Sequence, residues 1–459
     1  MSKIITPKNL NRIVTGLSPF IFSTMSYANL TAKTTKEIQG TAPLLSPIIE
    51  QHIEELSLFG VNVGGKNYYG NEIAQIPISP AYPFKNQIQI APIQQPNIEQ
   101  YLDIDGDELG YLVTQTSPKM VWYYTNDKNQ LVEFIPKNFD TFCSLAKEGK
   151  FGPYKIKISS DLILTSKYGI PFTNQYPNER VTKQPSMTYT IVSDSGICYA
   201  RPELEPVEAT ASKTNQWVEN KGFLVQSTVD PSKNFPTTAF YGAKFDLLLA
   251  RPGLAKNYNW TLVKGSELVT ISNNSDVVTV KFNTRQAMDT GIAWRNVIKS
   301  DNGYTVIIQG KNKNTGNIIQ YSFAITKWFT DWDKKMIGLP QASKGSIEDI
   351  IAGCRSLDGH YRIGYANEVS NAVLGKKDSV IFTREIGTLL GEWGYASQEA
   401  YPNSWAAKIT GKKKQSHTYQ RVWVYDTVMQ SYCDLHPYNA KYHCRTEKEG
   451  KNAVCIAIK

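Results

Sequence analysis

Apolar and polar positions alternate with a period of two along much of the chain. In VVTVKF, Val278, Val280 and Phe282 share one face. In IIQYSFAIT, Ile319, Tyr321, Phe323 and Ile325 share one face, with Gln320, Ser322 and Thr326 opposite and only Ala324 interrupting. A period of two marks a half-buried strand. A turn over residues 311–316 predicts a hairpin between 304–309 and that last strand. Earlier strand pieces are Leu112 and residues 120–124, 131–135, 154–158 and 187–192, with turns at Asn126-Asp127 and Gly152-Pro153. Prolines in PISPAYPF and APIQQP break regular structure and confine strands to edges.

The pattern changes after residue 329. SIEDIIAGCRS (residues 346–356) predicts a helix with Ser346 as N-cap and Glu348 and Asp349 at its positive end. TREIGTLLG (residues 383–391) predicts a second, with Thr383 and Glu385 as a partial capping signal and Gly391 or Gly394 as its stop. Val422 to Tyr425 and Val454 to Ile458 read as strands. The expected fold class is therefore mainly β: tandem Ig-like β-sandwich domains followed by an α+β module. The division is 1–28, a leader; 29–208, a loop-rich N-terminal β domain; 209–329, a second sandwich; and 330–459, the α+β module. The segment PELEPVEATAS (residues 202–212) suits an exposed linker.

Residues 1–28 read as a signal peptide. Lys3, Lys8 and Arg12 make a positive start, 13–22 is apolar, and Ser26 and Ala28 stand at the spacing that signal peptidase prefers. Removing those three charges takes the formal net charge from +9 to +6. That is mildly basic, and no zinc-finger spacing or RNA-binding aromatic motif accompanies it, so nucleic acid is not an expected partner. No apolar run approaches the roughly 18 residues of a membrane-spanning helix. An oxidising compartment would pair the six cysteines. Connectivity is not readable from sequence. Their grouping, two in the first half and four in the last quarter, suggests pairing within domains: Cys143 with Cys198, then a nested Cys354–Cys455 and Cys433–Cys444.

Candidate chemistry is sparse. Cys433-x-x-His436 with His443-Cys444 holds donors for a tetrahedral ion, but the halves lie six residues apart and an oxidising compartment favours disulfides. Asp103-x-Asp105-Gly-Asp107-Glu108 resembles part of a calcium loop, yet the position for the bidentate Glu is Thr114, and an acidic turn is the plainer reading. No metal or cofactor is assigned. Trp393 and Trp423 read as core, and Glu392 as a holder of a backbone group or of an arginine such as Arg384. No hydrolase, P-loop or dinucleotide motif occurs, so an enzyme is not expected; His360 and His417 would have to share a cleft with acids and hydroxyls to revive a hydrolase. The most surface-like stretch is 406–425. There Lys412, Lys413 and Lys414 follow a glycine turn, and His417, Tyr419 and Arg421 come next. Basic residues interleaved with aromatics are interface material, although a solvated hairpin tip would look the same.

Several phrases resemble the intimin/invasin family of bacterial adhesion proteins. FPTTAFYGAKFDLLL (residues 235–249) resembles the opening of its Ig-like domains, and GYTVIIQGKNKNTGNIIQYSFAITKWF (residues 303–329) their closing strands. REIGTLLGEWG (residues 384–394), followed by Tyr401 and Trp405, resembles the helix and EWG segment of the family's C-terminal C-type-lectin-like module, and NAVCIAIK (residues 452–459) its last cysteine strand. EIQGTAP (residues 37–43) and DIDGDELGY (residues 103–111) are more weakly similar to its repeats. The chain has no room for the family's outer-membrane barrel. It is similar to barrel-less, soluble members, which implies a secreted or surface protein of a Gram-negative bacterium, exported through the periplasm with either a separate barrel as an export partner or another secretion route. The resemblance implies binding of a host or bacterial cell-surface protein or glycan through the distal module. Tyr401 and Trp405 join the 412–421 residues as candidate contacts. It does not imply a calcium-dependent sugar site, because Tyr401-Pro402-Asn403 lacks the carboxylate or amide before Pro. The other functional expectation is a soluble component that docks on a partner barrel or bacterial protein through 29–208 and modulates virulence.

Overall fold

The computed structural model describes residues 39–459 apart from 77, 127, 129, 193–195, 205–213, 251, 315, 334–343, 373–382, 396–399, 403, 405–420, 438–441 and 445–450. The expected leader lies outside the described residues.

The chain is mainly β and its sheets are largely antiparallel. Strand Phe151–Ser159 shows the governing pattern: Tyr154, Ile156 and Ile158 point inward and are fully buried, while Lys155 and Lys157 alternate with them. It lies in a four-stranded sheet ordered Ser186–Val192, Phe151–Ser159, Lys119–Thr125, Leu131–Phe134. A three-stranded sheet of Thr173–Tyr176, Leu162–Ser166 and Leu109–Thr114 contributes Leu112, Leu162 and Leu164 to the same core. The short helix Phe142–Lys147, capped by Thr141, stacks Phe142 on Phe84 with ring centroids 4.3 Å apart.

Strand Ile197–Arg201 precedes the proline-rich segment, yet it pairs with Lys244–Leu249 and Gly222–Leu224. It thus joins the six-stranded sheet ordered Trp217–Val218, Gly222–Leu224, Ile197–Arg201, Lys244–Leu249, Val277–Lys281, Thr270–Asn273. Cys198 sits on this strand, so its disulfide to Cys143 ties the N-terminal core to the next sheet and does not close within one core. Around it, the Ser79 hydroxyl donates to the Val225 carbonyl, Thr228 Oγ1 to the Ile78 carbonyl at 3.0 Å and the Tyr82 hydroxyl to the Asn215 carbonyl at 2.5 Å.

Facing the six-stranded sheet are Tyr258–Lys264, Tyr304–Asn312 and Ile318–Ile325. Phe245 from one sheet meets Phe323 from the other at 5.6 Å, which closes an Ig-like sandwich core. Val278, Val280 and Phe282 are buried on one face, as are Ile319, Tyr321, Phe323 and Ile325. Ser322 and Ala324, expected to face outward, are buried as well, and the buried Asn234 donates from Nδ2 to the Ser322 carbonyl at 2.9 Å. The helix Thr290–Ile298 was not expected in this all-strand stretch. Asp289 caps it, accepting from the Ile292 N–H at 2.8 Å, and Ala293 and Val297 bury its inner side.

The C-terminal region does not stand apart from this sandwich. Its four-stranded sheet is ordered Thr238–Phe240, Lys327–Thr330, Cys455–Ala457, Tyr361–Ile363, and the first strand comes from the sandwich. Lys327–Thr330 runs straight across position 329/330. One hydrophobic core extends from Ile197 to Ala457. A second sheet holds Tyr442–His443, Ser431–Leu435, Val422–Asp426 and Asn452–Ala453. Helix Ile347–Arg355 forms where the capping signals place it, with Ser346 and Asp349 bonding reciprocally. The second helix is displaced to Leu389–Trp393, with Thr388 as its cap and Gly394 at φ +65° as its stop. Gly387, at φ +126°, takes the preceding residues out of helical conformation. Disulfides join Cys354 to Cys455 and Cys433 to Cys444.

Candidate functional site

The EWG turn is the structural centre of the C-terminal half. Glu392 has no exposed surface, and its carboxylate accepts five donors. Oε1 takes the Thr237 N–H at 2.9 Å, the Thr237 hydroxyl at 2.6 Å and the Gly387 N–H at 3.0 Å; Oε2 takes the Thr238 N–H at 2.8 Å and hydroxyl at 2.5 Å. Burial pushes this carboxyl up from its ordinary value, and the threonine donors pull it back down. Trp393 beside it is ringed by Phe235, Phe240 and Tyr401 at 4.9, 5.5 and 5.8 Å, and its Nε1 donates to the Thr238 carbonyl at 3.0 Å. Arg384 is also fully buried. It lies over the Trp217 ring at 4.2 Å and donates to the Glu203 carbonyl at 2.7 Å and the Glu392 carbonyl at 2.9 Å. Burial pushes its guanidinium down to about 10, against the pull of Tyr401, Glu203 and Glu392. Glu392 thus holds backbone groups, while Arg384 answers the Glu392 carbonyl. This constellation is a joint. The polar atoms named here are directed at protein.

Tyr401 belongs to the same joint. It is 1% exposed, its hydroxyl accepts from the Glu203 N–H at 3.0 Å and donates to the Trp393 carbonyl at 3.1 Å, and its ring meets Phe240 edge-on. Its expected place on an open contact surface is corrected: the side chain is interior, with its hydroxyl both accepting and donating within the protein. Arg421 sends one guanidinium nitrogen to both oxygens of the buried Asp434 at 2.8 and 2.7 Å. Trp405, Lys412, Lys413, Lys414, His417 and Tyr419 lie outside the described residues. His360 is exposed and packs on Trp294 at 4.8 Å.

Several donors of the metal readings are engaged by the protein. Asp426, Cys433 and Cys444 approach one another, but both sulfurs are in the disulfide, and Asp426 accepts from the Val428 and Met429 N–H groups in a turn. Asp105 accepts from the N–H and hydroxyl of Thr41, and Asp103 from the N–H groups of Asp105 and Asp107.

On this half a groove of about 370 Å³ opens to solvent, lined by Ile351, Arg355, Arg362, Tyr365, Tyr425 and Tyr432 among others. Tyr425 and Tyr432 face each other across paired strands, with ring centroids 5.1 Å apart; Tyr365 continues the row, 5.7 Å from Tyr425. Arg362 lies over the Tyr365 ring at 3.4 Å and forks onto Glu368 at 2.9 and 2.7 Å. Arg355, in the last turn of its helix, is exposed. Sequence reasoning placed Tyr425 in a strand and at the end of the 406–425 stretch, but not among the candidate contacts. Strand parity gave no cue, because Trp423 shares the face of Tyr425 and Asp434 that of Tyr432, and both are buried.

Residues 216–323 match the family model of invasin domain 4. No curated protein and no solved structure matches the chain. The match supports a relationship to the invasin/intimin family and points to an adhesin-type, binding function. With the three disulfides it points to an extracellular or surface protein. Among the described residues no helix is long and apolar enough to cross a membrane.

Proposed function

We propose that the protein is a secreted bacterial adhesin that recognises a host or neighbouring cell-surface receptor through its C-terminal module, residues 330–459, a unit similar to C-type-lectin-like adhesion modules. The observation that carries this reading is the continuity of that module with the invasin-type sandwich. Glu392 and Trp393 fasten it to Thr237 and Thr238, and the Tyr365–Tyr425–Tyr432 groove stays open. A rigidly held aromatic surface binds with little ordering cost, which is what a receptor contact needs. The mechanism is surface complementarity without bond chemistry or a cofactor. The test is saturable binding of the oxidised full chain to cells, lost in Tyr425→Ala. Binding to no cell surface by a folded, disulfide-bonded chain ends the reading.

A second reading has the chain docking through its N-terminal unit on a partner outer-membrane barrel or another bacterial protein and modulating virulence. Its favouring observation is one end of that unit. There the Gly40 N–H meets the Ile170 carbonyl at 2.9 Å, the Lys167 N–H meets the Glu108 carbonyl at 2.9 Å, and Ile104, Tyr168 and Phe172 are exposed. Ile104→Asp with Phe172→Asp would then abolish recovery of the chain with bacterial envelopes. Under the first reading that pair leaves cell binding intact.

A further inference from the structure

We infer that the tyrosine groove takes a peptide segment of a partner protein in which a carboxylate side chain stands next to a bulky apolar one, an inference that rests on the adhesin reading of this module. The wall of the groove is three contiguous phenol rings, with centroid separations of 5.7 and 5.1 Å. Ile351 extends it with apolar surface. Such a wall receives an aliphatic or aromatic side chain, the commonest kind of anchor at protein interfaces.

The charges choose the neighbour. Arg362 already has both oxygens of Glu368 on its fork and the Tyr365 ring beneath it. Arg355 has no ion-pair partner among the described residues, and it ends the helix whose Ile351 lines the same groove. Arg355 and the Tyr432 ring line this one groove, so an exposed guanidinium borders the phenol wall. With Arg362 held by Glu368, an incoming carboxylate is favoured on the Arg355 side. An unpaired guanidinium at the rim of an aromatic wall is complementary to a carboxylate, which it grips with two parallel N–H bonds. The lining holds no Asp, Asn, Glu or Gln, so a saccharide's hydroxyls would find only the phenol oxygens among its side-chain acceptors.

The test uses the oxidised full chain and small probes. Saturation-transfer NMR is recorded with N-acetyl-Leu-Glu-Phe-amide, with the same peptide carrying Gln for Glu or Lys for Glu, and with 3′-sialyllactose. The expected result is transfer to the Leu and Phe protons of the Glu peptide, at least threefold weaker for the Gln peptide and lost in Tyr432→Ala. Arg355→Glu, an exposed change that leaves the fold intact by circular dichroism, should reverse the preference towards the Lys peptide. Equal transfer to the Glu and Gln peptides, or stronger transfer to the saccharide, overturns the inference. Cell binding of the same samples is measured in parallel. Cell binding lost in Tyr432→Ala without any peptide preference sinks this ligand class alone. A Glu-peptide preference in a chain that binds no cell supports the ligand class and sinks the adhesin reading.

Discussion

The Glu392 carboxylate takes both the N–H and the hydroxyl of Thr238, at 2.8 and 2.5 Å, and so binds the EWG turn to the first strand of a sheet that the sandwich and the C-terminal module build together. Thr238–Phe240 runs parallel to Lys327–Thr330, which in turn pairs with Cys455–Ala457. A carboxylate with no exposed surface and five donors serves structure, and its removal should be felt on both sides of the joint.

Glu392→Gln keeps the shape but turns an amide N–H₂ towards donors. Leaving buried polar groups without partners should cost roughly 3–5 kcal/mol. The sandwich and the C-terminal module should still melt in one calorimetric transition, at lower temperature. Two separate transitions in the unsubstituted chain for 197–329 and 330–459 would contradict a shared core.

Tyr401→Phe separates two roles for one residue. The hydroxyl joins the Glu203 N–H to the Trp393 carbonyl inside the protein. Its loss should lower stability by about 1–3 kcal/mol and leave receptor affinity within twofold. A large affinity loss at unchanged stability would return Tyr401 to the contact surface.

Cys143→Ser with Cys198→Ser removes a cross-link over 55 residues that spans two cores. In the chain-entropy account this costs roughly 4 kcal/mol. The N-terminal core should melt earlier, while the core from Ile197 to Ala457 keeps its midpoint within a few degrees. Equal lowering of both would show the bond serving the sandwich itself.

The strands were legible because a period of two leaves few alternatives: Val278, Val280 and Phe282 had to share a face, and that face is buried. The capped helix at Ser346 was legible for a similar local reason. The joint was not. Thr238–Phe240 is three residues long and buried throughout, so it carries no alternation, and its partner strand lies about 90 positions away. The helix Thr290–Ile298 hid in a β-rich stretch whose only local cue was Asp289. The cysteine grouping put Cys143 and Cys198 in one domain, whereas Cys198 rides a strand of the next sheet. The groove was invisible for another reason. Tyr365, Tyr425 and Tyr432 come from three elements, and only tertiary structure sets their rings in a row. The lysine-rich segment drew attention through composition, which says what a surface is made of and not where it faces.

The most direct test of the adhesin account is equilibrium binding of the oxidised full chain to cells, by flow cytometry, for the unsubstituted protein, Tyr432→Ala and Tyr401→Phe. The account predicts saturable binding, an affinity loss of about 30-fold in Tyr432→Ala, as for an aromatic hot spot worth about 2 kcal/mol, and little change in Tyr401→Phe. No saturable binding by any of the folded proteins, or equal binding by all three, would contradict it.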